Sequence, residues 1–493
     1  MSTETIRGFA EPHPLFASRR EFLRKTGAGF GWLALSAMAH AESATRPQAP
    51  AAGGLDPLAA HTGHFGGKAK SVIWLFMNGG QSQVDTWDYK PELQKRDGQE
   101  LPGFDKNTGF FTGDVGPLLK SPFQFPQHGR SGCRVSEIFP SMIPHVDDMA
   151  FIHSCFTQTN NHSPALFQIN TGFSRMGFPC VGSWVTYGLG SESRNLPSFI
   201  VMYDTLGRGV PKGHAQNWGA GFLPGVFQGT ALNVQGSPIN NTDRDPAMGD
   251  AQQREQLNLL RRLNQRGQGG AGGEDAELAA RIESYELAYR MQTAAPEALD
   301  VGREPAGIRR LYGVDEKRCG HFARQCLMAR RLVERGVRFV QIYSGGMDNE
   351  RSWDGHVDIE GNHRQFAGET DQPIGALLTD LKQRGLLEST LVVCCGEFGR
   401  LPVSQRGKKP GRDHNPHAFT TWMAGGGVRG GVHHGQTDDV GHKAVVDRVS
   451  VNDLHATILH LMGLHHEKLT FRFNGRDFRL TDVAGEVVRA VVA

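Results

Sequence analysis

Six short, largely apolar runs recur along the chain, each bounded by polar or glycine-rich sequence. They are Val72–Met77, Met149–Ile152, Ser198–Met202, Arg338–Ile342, Leu391–Cys395 and Phe419–Met423. Continuous apolar runs of this length, without polar alternation, are typical of strands that are covered on both faces. The pattern therefore predicts a sheet buried between two other layers.

Between several of these runs the apolar residues recur at helical spacing. Cys319 to Glu334 is one such segment, and Asp371 to Arg384 is another, with Gly385 directly after it as a C-terminal stop. Strands that alternate with helices favour an α/β fold. We expect a three-layer αβα arrangement with a mostly parallel central sheet.

Two stretches interrupt this alternation and are predicted to be surface insertions. Residues 92–132 are rich in glycine and proline, and residues 236–275 are polar and end in a glycine cluster. A helix from about Glu274 to Gln292 then returns the chain to the core. The sequence thus predicts a single domain over residues 71–493, preceded by a flexible Pro/Gly-rich spacer at 42–70.

The N-terminus has the order of features that is typical of a twin-arginine export signal. Arg19-Arg20-Glu21-Phe22-Leu23 precedes a mildly apolar run from Thr26 to Ala39, and Ala39-His40-Ala41 supplies a small-x-small cleavage site. The apolar run is too short to span a bilayer. We therefore expect residues 1–41 to be a Tat signal peptide, the Tat translocase to be a partner during export, and the mature protein to be periplasmic or extracellular. The alternative is a chance Arg-Arg pair before a surface helix.

Charge and cysteine content exclude several classes of protein. The 53 Lys and Arg residues nearly balance the 51 Asp and Glu residues, and without a basic stripe nucleic acid is not an expected partner. The mean hydropathy is −0.40, and no later apolar run reaches 18 residues, so no transmembrane segment is expected. Seven irregularly spaced cysteines do not form a disulfide framework, and Cys394 and Cys395 are expected to be buried.

Polar residues that can bind a metal ion follow three of the predicted strands. Ligands in such folds collect at the carboxyl ends of parallel strands. Asp, Glu and His gathered there are what a divalent cation requires. Each residue alone could instead make an ordinary loop hydrogen bond or lie at the surface. The candidates are Asn78 after the first strand, Asp354 and His356 after the fourth, Glu397 after the fifth, and His414 and His417 before the sixth.

A further candidate site is Asn160-Asn161-His162-Ser163-Pro164. Ser163 before Pro164 predicts a helix start, with Ser163 as its N-cap. The free amides of that helix start could bind an anion, with His162 or Ser163 beside it. The simpler interpretation, which is favoured, is that Ser163 only caps the helix.

The order of these motifs resembles the bacterial secreted family called domain of unknown function 1501 (DUF1501), within the alkaline-phosphatase-like and sulfatase-like superfamily. The matching motifs are Asn78-Gly79-Gly80-Gln81-Ser82, Asp85-Thr86-Trp87-Asp88, Trp353-Asp354-Gly355-His356, Gly396-Glu397-Phe398-Gly399-Arg400, Gly411-Arg412-Asp413-His414, Ala424-Gly425-Gly426-Gly427 and Asp453-Leu454-His455-Ala456-Thr457. The resemblance covers nearly the whole mature chain and implies an alkaline-phosphatase-like αβα fold with its site at the strand ends.

Carried over residue by residue, the resemblance implies two metal positions, one of which keeps more of its ligands in this sequence than the other. Asp354 and His356 match one pair of ligands, and the next histidine corresponds to His414, with His417 second. At the other position Asn78 replaces an Asp and Glu397-Phe398 replaces an Asp-His pair. His162 stands where sulfatases carry their cysteine, which disfavours a formylglycine-type sulfatase.

The leading hypothesis is an exported, metal-dependent hydrolase of a phosphate or sulfate ester, small-molecule or polysaccharide. Its ion would be zinc, manganese or calcium. Glu397 would support the metal site, Arg400 or Arg412 would balance substrate charge, and the nucleophile would be Ser163, His162 or water. The alternative is a secreted binding or scaffold protein on a degenerate fold, favoured by Asn78 and Phe398. A phosphomutase-like enzyme is a third option, which the export signal disfavours.

Overall fold

The structure is a computed structural model that describes residues 57–232, 249–267, 275–347 and 349–493, without the side chains of residues 261, 263–267, 275–283 and 293. The predicted signal peptide and the first part of the predicted spacer lie outside the described residues. So do most of the non-helical residues of the predicted 236–275 insertion.

A mixed sheet of nine strands forms the centre of the described residues. The strands are β1 Ser71–Met77, β2 Met149–Phe156, β3 Phe199–Met202, β4 Thr230–Ala231, β5 Phe339–Ser344, β6 Thr390–Cys395, β7 Phe419–Ala424, β8 His433–His434 and β9 Val449–Ser450. Their order is β8-β2-β7-β6-β1-β5-β3-β4, with β9 also paired to β2. Only β7 runs antiparallel to its neighbours, β2 and β6, among these strands. The six predicted strands are confirmed.

Helices cover both faces of this sheet. The longer ones are α1 His162–Thr171, α2 Val181–Leu189, α3 Asp250–Gly267, α4 Asp275–Leu299, α5 Ala306–Tyr312, α6 Gly320–Glu334, α7 Ile359–Gln383 and α8 Val451–Leu461. Alternate residues of β1 enter opposite cores. Ile73 packs with the apolar faces of α6 and α7, whereas Trp74 packs with those of α1, α2 and α8. The predicted three-layer αβα arrangement is therefore confirmed.

Helix α7 begins earlier than its predicted start at Asp371. The side chain of Asp358 caps it by accepting a hydrogen bond from the Gly361 amide, and Pro373 lies inside the helix. The first turns bury Phe366 and Ala367 against the core. This packing stabilises a helix that continues through Pro373. By itself, that proline predicts the start of a helix nearby.

Two segments predicted to lie outside the core are packed against it. In the predicted spacer, the amides of His61 and Ala69 donate to the carbonyl groups of Leu189 and Leu461, so residues 57–70 belong to the domain. In the predicted insertion at 92–132, the short strand Val115–Leu118 pairs with Val403–Gln405 and carries buried apolar side chains into a small third core. Residues 57–70 are therefore not the free spacer that was predicted. Much of 92–132 is exposed, as expected of a surface insertion, but part of it forms this small core. That packing was not predicted, because isolated apolar residues in Gly/Pro-rich sequence give no periodic signal.

The remaining expectations concern cysteines and membrane spans. All seven cysteines are free and buried, and burial raises the pKa of the Cys394 thiol. Within the described part of the chain, no helix combines the length and apolar character needed to cross a membrane.

Candidate metal centre

The sheet topology gathers the candidate ligands at one edge. Strands β1, β2, β5 and β6 are mutually parallel, so their carboxyl ends meet there. Asp354 follows β5, Glu397 follows β6, and the loop after β2 leads into α1 and His162. His414 precedes β7, and because β7 runs in the opposite direction its amino end lies at the same edge.

A short antiparallel pair fixes the position of His414. Residues Gly399–Arg400 pair with His414–Asn415, with Arg400 opposite His414. The side-chain amide of Asn415 donates to the carbonyl of His442, and the backbone amide of His414 donates to Asp413 Oδ1 at 2.7 Å. The backbone at His414 is therefore held by its paired strand and by these two bonds.

Four buried side chains, those of His162, Asp354, His356 and His414, form a compact cluster of possible metal ligands. One ligand atom from each lies within 4.8 Å of all the others. His356 Nε2 is 2.9 Å from Asp354 Oδ1, His414 Nε2 is 3.2 Å from the same oxygen, and the two Nε2 atoms are 3.0 Å apart. Ligands of a tetrahedral zinc ion at about 2.0–2.1 Å lie at separations only slightly larger than these.

The hydrogen bonds of the outer nitrogens, Nδ1 of His356 and His414, determine whether the inner nitrogens, Nε2, carry a hydrogen or a lone pair. His414 Nδ1 lies 2.6 Å from the carbonyl oxygen of Asn160, which can only accept, so Nδ1 carries the hydrogen. His356 Nδ1 lies 2.7 Å from Gln405 Oε1 and donates to it in the same way. In the neutral rings both Nε2 lone pairs then point at each other and at a carboxylate oxygen. The lone pairs of these three atoms repel one another unless a cation lies between them.

His162 is held from the opposite side by Glu397. Its Nδ1 is 2.7 Å from Glu397 Oε1, and both oxygens of Glu397 accept from the Gly79 amide. His162 Nε2 lies 3.1 Å from Asp354 Oδ2, but not in the direction of a hydrogen bond, so this buried nitrogen has no aligned partner among the described residues. The contact is therefore electrostatic.

Burial and nearby charges shift the pKa values of the cluster in opposite directions. Burial alone would lower the pKa of His162, but the carboxylates of Asp354 and Glu397 outweigh it and raise that pKa to about 9. Burial and the charge on His162 hold the pKa of His414 well below its usual range. Burial would raise the pKa of Asp354, but Arg400 and His162 hold it well below its usual range.

The two arginines predicted to bind substrate are structural instead. Both side chains are fully buried. Arg400 donates to Asp354 Oδ1 at 2.5 Å and to the carbonyl groups of Gly79, Gly80 and Arg412. Arg412 pairs with Asp85 and donates to three further carbonyl groups. Their prediction as substrate residues was wrong, because every guanidinium nitrogen already donates within the protein.

Ser163 and His417 are not brought into the cluster. Asn161, not Ser163, is the N-cap of α1, and its side chain accepts a hydrogen bond from the Ser163 amide. Ser163 is therefore already inside the first turn, where Pro164 is also tolerated because the first amides of a helix need no carbonyl partner. The ring of His417 packs 5.8 Å from that of His442, away from the four clustered residues.

Residues 69–492 match the family described as "protein of unknown function (DUF1501)". The chain belongs to that family. No curated protein matches it.

Several solved structures match this DUF1501 protein at low identity and low TM-score. The lipoteichoic acid synthase LtaP from Listeria monocytogenes is 9% identical, with 89% of this chain and 80% of the other covered and a TM-score of 0.32. The PsFucS1 sulfatase from Pseudoalteromonas sp. is 12% identical, with 80% and 68% covered and a TM-score of 0.34. The alkaline phosphatase from the Antarctic bacterium TAB5 is 10% identical, with 80% and 98% covered and a TM-score of 0.31. Matches at this level carry no information about the chemistry of the site.

Asn78 and Phe398, the two departures noted in the sequence, have defined places in this DUF1501 protein. Asn78 Nδ2 donates to the carbonyl of Gly346 at 2.5 Å, and its Oδ1 is buried without a hydrogen-bond partner among the described residues. The ring of Phe398 lies 4.9 Å from that of His162 and 4.5 Å from that of His414. An apolar ring thus packs where the resemblance implied a second histidine.

Sequence reasoning missed the residues that hold and cover the cluster in this DUF1501 protein. Asn160 and Gln405 orient the two histidines, and Phe110 and Phe111 line a cavity of about 40 Å³ beside them. Lys212 lies in the wall of the same cavity. Asn160 belongs to the predicted motif Asn160-Asn161-His162-Ser163-Pro164, but its role in orienting His414 was not predicted. Phe110 and Phe111 lie in sequence without periodicity, which gives no signal for their position.

Proposed function

We propose that His162, Asp354, His356 and His414 bind a single divalent metal ion. The observation that carries this proposal is the convergence of two histidine Nε2 lone pairs on one carboxylate oxygen, with the outer nitrogens already donating. The unpartnered His162 Nε2 supplies a further donor. Three imidazoles and one carboxylate suit zinc or manganese, whereas calcium prefers six to eight oxygen ligands.

One ion fits the charges and the space better than two. The carboxylates of Asp354 and Glu397 are balanced by the Arg400 guanidinium and by the imidazolium that the raised pKa of His162 favours. Phe398 leaves no imidazole for a second position. An ion that enters this cluster would take the place of the His162 proton, which supports binding without a large excess of buried charge.

The reaction we propose is hydrolysis of a phosphate or sulfate ester. A bound divalent ion supplies stabilisation of charge on the ester oxygens and an acidified water. Glu397 keeps His162 Nδ1–H in place, so that His162 Nε2 faces the ion or holds a proton beside Asp354. Water is the favoured nucleophile over Ser163, because Asn161 and His162 line the cavity and the described Ser163 does not.

With both buried arginines excluded, Lys212 is the residue proposed to balance the charge of the substrate. It lines the cavity together with Asp354, His356 and His414. We expect Lys212→Met to raise KM for an anionic ester about tenfold with little change in metal content, and Lys212→Arg to restore part of the loss. An unchanged KM in Lys212→Met would exclude this role.

The test of the proposed activity combines metal analysis with a substrate panel. The purified protein is analysed by inductively coupled plasma mass spectrometry and assayed on aryl phosphate, phosphodiester and aryl sulfate esters, with zinc or manganese added. About one equivalent of metal and turnover on one ester class support the proposal. A protein that binds no metal and is inert on all three classes would overturn it.

A binding or scaffold role is the second candidate, and the small size of the cavity, about 40 Å³, favours it. Ligand pockets are commonly about 300–1,000 Å³, so the described conformation does not admit an ester. Asp354→Asn separates the two candidates. Loss of turnover in that variant supports the enzyme, whereas a metal-loaded but inert protein that binds cell-surface polymer equally well with and without the substitution supports the scaffold.

We also propose export by the twin-arginine route, on the basis of Arg19-Arg20 and the Ala39-His40-Ala41 cleavage site. Replacing both arginines with lysine should leave the precursor in the cytoplasmic fraction, and the unchanged chain should reach the periplasm with its N-terminus at residue 42. Equal export of the two forms would contradict this proposal.

A further inference from the structure

Residues Thr108–Phe111, which we call the aromatic cap, cover the metal cluster. The ring of Phe111 meets that of His356 edge-on, with centroids 4.9 Å apart, and the ring of Phe110 lies 5.7 Å from that of His414. Yet the two phenylalanines are 48% and 40% exposed. Two neighbouring aromatic side chains therefore contact the metal ligands while they remain almost half exposed.

The cap is tied down by two residues that also hold the metal ligands. Asn160 Nδ2 donates to the carbonyl groups of Thr108 and Gly109 at 3.1 and 2.8 Å, and the carbonyl of Asn160 accepts from His414. Asp413 Oδ2 accepts from the Phe111 amide at 2.6 Å, and its other oxygen accepts from the His414 amide. The same two residues therefore connect the cap to His414.

The cap also lines the small cavity beside the cluster. Phe110 and Phe111 share this space of about 40 Å³ with Asp354, His356 and His414. A space of that size holds one or a few water molecules. An ester that reaches the ligands through this cavity must therefore displace the cap, because the ligands are fixed by the sheet edge.

Closure requires a small residue at position 109. A Cβ added to Gly109 would lie 2.3 Å from Asp413 Oδ2, although the backbone there would accept alanine. Gly109 is therefore required by its close approach to Asp413 Oδ2 and not by its backbone dihedral angles.

We propose that the aromatic cap opens and closes over the cluster, and that Phe110 and Phe111 determine which molecules reach it. The cap swings about the polar turns that flank it, at Lys106–Thr108 and Thr112–Asp114. Breaking three hydrogen bonds, two to Asn160 and one to Asp413, releases it. The chemistry beneath the cap rests on the proposed metal site, but the opening itself does not.

The first test uses the metal-free protein, so that it does not depend on metal binding. Diethyl pyrocarbonate labels accessible neutral histidines, and mass spectrometry reads each site separately. We expect Phe110→Ala/Phe111→Ala and, separately, Asn160→Ala to raise the labelling rate of His356 and His414 at least tenfold. Asn160→Ala removes the side-chain bonds to the cap and keeps the backbone carbonyl that holds His414.

Two controls make the result specific. Phe473→Ala removes a phenylalanine of similar exposure, 39%, on the hairpin Phe471–Phe473 and Arg476–Phe478, and should leave the labelling unchanged. His417 outside the cluster serves as an internal reference in every sample. Unchanged labelling of His356 and His414 in both cap variants, with urea midpoints like that of the parent, would overturn the proposal. So would equal increases at His417.

The second test measures metal release into excess chelator by the parent and the cap variants. We expect release from both cap variants to be at least tenfold faster, at an equal equilibrium stoichiometry. A protein that shows the labelling result but binds no metal refutes the proposed metal site and leaves the cap supported. Fast labelling with unchanged release refutes control of access to the bound ion.

Discussion

His356 Nε2 and His414 Nε2 face each other across 3.0 Å, and each is within 3.2 Å of the same oxygen of Asp354. Neither nitrogen can donate in the neutral rings, because the outer nitrogens already do so. Three acceptors in contact define a place for a cation. The contact between the two Nε2 atoms, and not the presence of either histidine alone, therefore points to a cation site.

Removal of one of these nitrogens should weaken metal binding sharply. Changes to groups behind the ligands typically reduce metal affinity about 10–100-fold. We expect His414→Ala to reduce the affinity for zinc by more than this. Competition with a chromogenic chelator measures the change. His417→Ala, three residues away and outside the cluster, is the matched control. An equal loss in the two variants would contradict the assignment.

The pKa of His162 and the affinity for zinc should both depend on the charge of Glu397. In Glu397→Gln the amide keeps the shape of the side chain but loses the charge that favours the imidazolium, so we expect the pKa of His162 to fall from about 9. Zinc affinity should fall about 10–100-fold. Histidine NMR titration and chelator competition measure the two effects. A pKa for His162 that does not move would show that Glu397 does not stabilise the charged ring.

The stability of the metal-free protein should decrease at alkaline pH. The pKa of His162 is raised from 6.5 to about 9, so the ionised ring stabilises the fold fully below pH 6.5, and this contribution is lost as the pH rises through 9. The loss is at most about 3 kcal/mol. Urea unfolding at pH 6 and pH 9.5 measures it, and His162→Gln should flatten the dependence.

Proton release should couple metal binding to pH in the same range. Since zinc must displace the His162 proton, the apparent affinity should rise about tenfold per pH unit between pH 7 and 9. Isothermal titration calorimetry in buffers of different ionisation enthalpy counts the protons released. A value near zero at pH 7 would contradict the assignment of His162 as a ligand.

Loss of the Arg412 side chain should destabilise the fold itself. Arg412 and Asp85 are both fully buried, and their contact is 2.6 Å. Arg412→Met leaves the Asp85 carboxylate without its partner, at a cost of about 3–5 kcal/mol in the free energy of unfolding. Arg364→Met, which removes an arginine that is about half exposed and paired with Glu360, should cost at most about 1 kcal/mol. Urea unfolding of both variants provides the comparison.

Asn78→Asp should not by itself create a second metal position. The aspartate would place an oxygen against the carbonyl of Gly346, where Asn78 Nδ2 now donates at 2.5 Å. We expect a loss of about 1–3 kcal/mol in stability and an unchanged metal stoichiometry, because the ring of Phe398 still packs on His162 and His414. A second equivalent of bound zinc would show that the ring does not block that position.

Some features of this protein follow from its sequence, and others do not. The strands were predicted because a strand buried on both faces has a continuous apolar pattern, as in Val72–Met77. Asp354, His356 and His414 were selected because they adjoin such strands. Arg400 and Arg412 were misassigned because a sequence shows that a side chain is charged but not that a buried carboxylate already binds it. Ser163 and Asn161 are both good N-cap residues by sequence, and only the structure shows that Asn161, whose side chain accepts from the Ser163 amide, occupies that position.

By itself the sequence determined the layered α/β architecture, the edge of the sheet at which a site could form, and the residue types available there, since these follow from local apolar patterns. Only the tertiary structure decided which of those residues meet. The antiparallel direction of β7 brings the segment before it to this edge, and the pairing of Arg400 with His414 places His414 beside Asp354, while Phe398 fills the neighbouring space. These contacts join residues 60 positions apart, as in His414 and Asp354, or 235 apart, as in His162 and Glu397, and contacts of this kind leave no periodic signal along the chain.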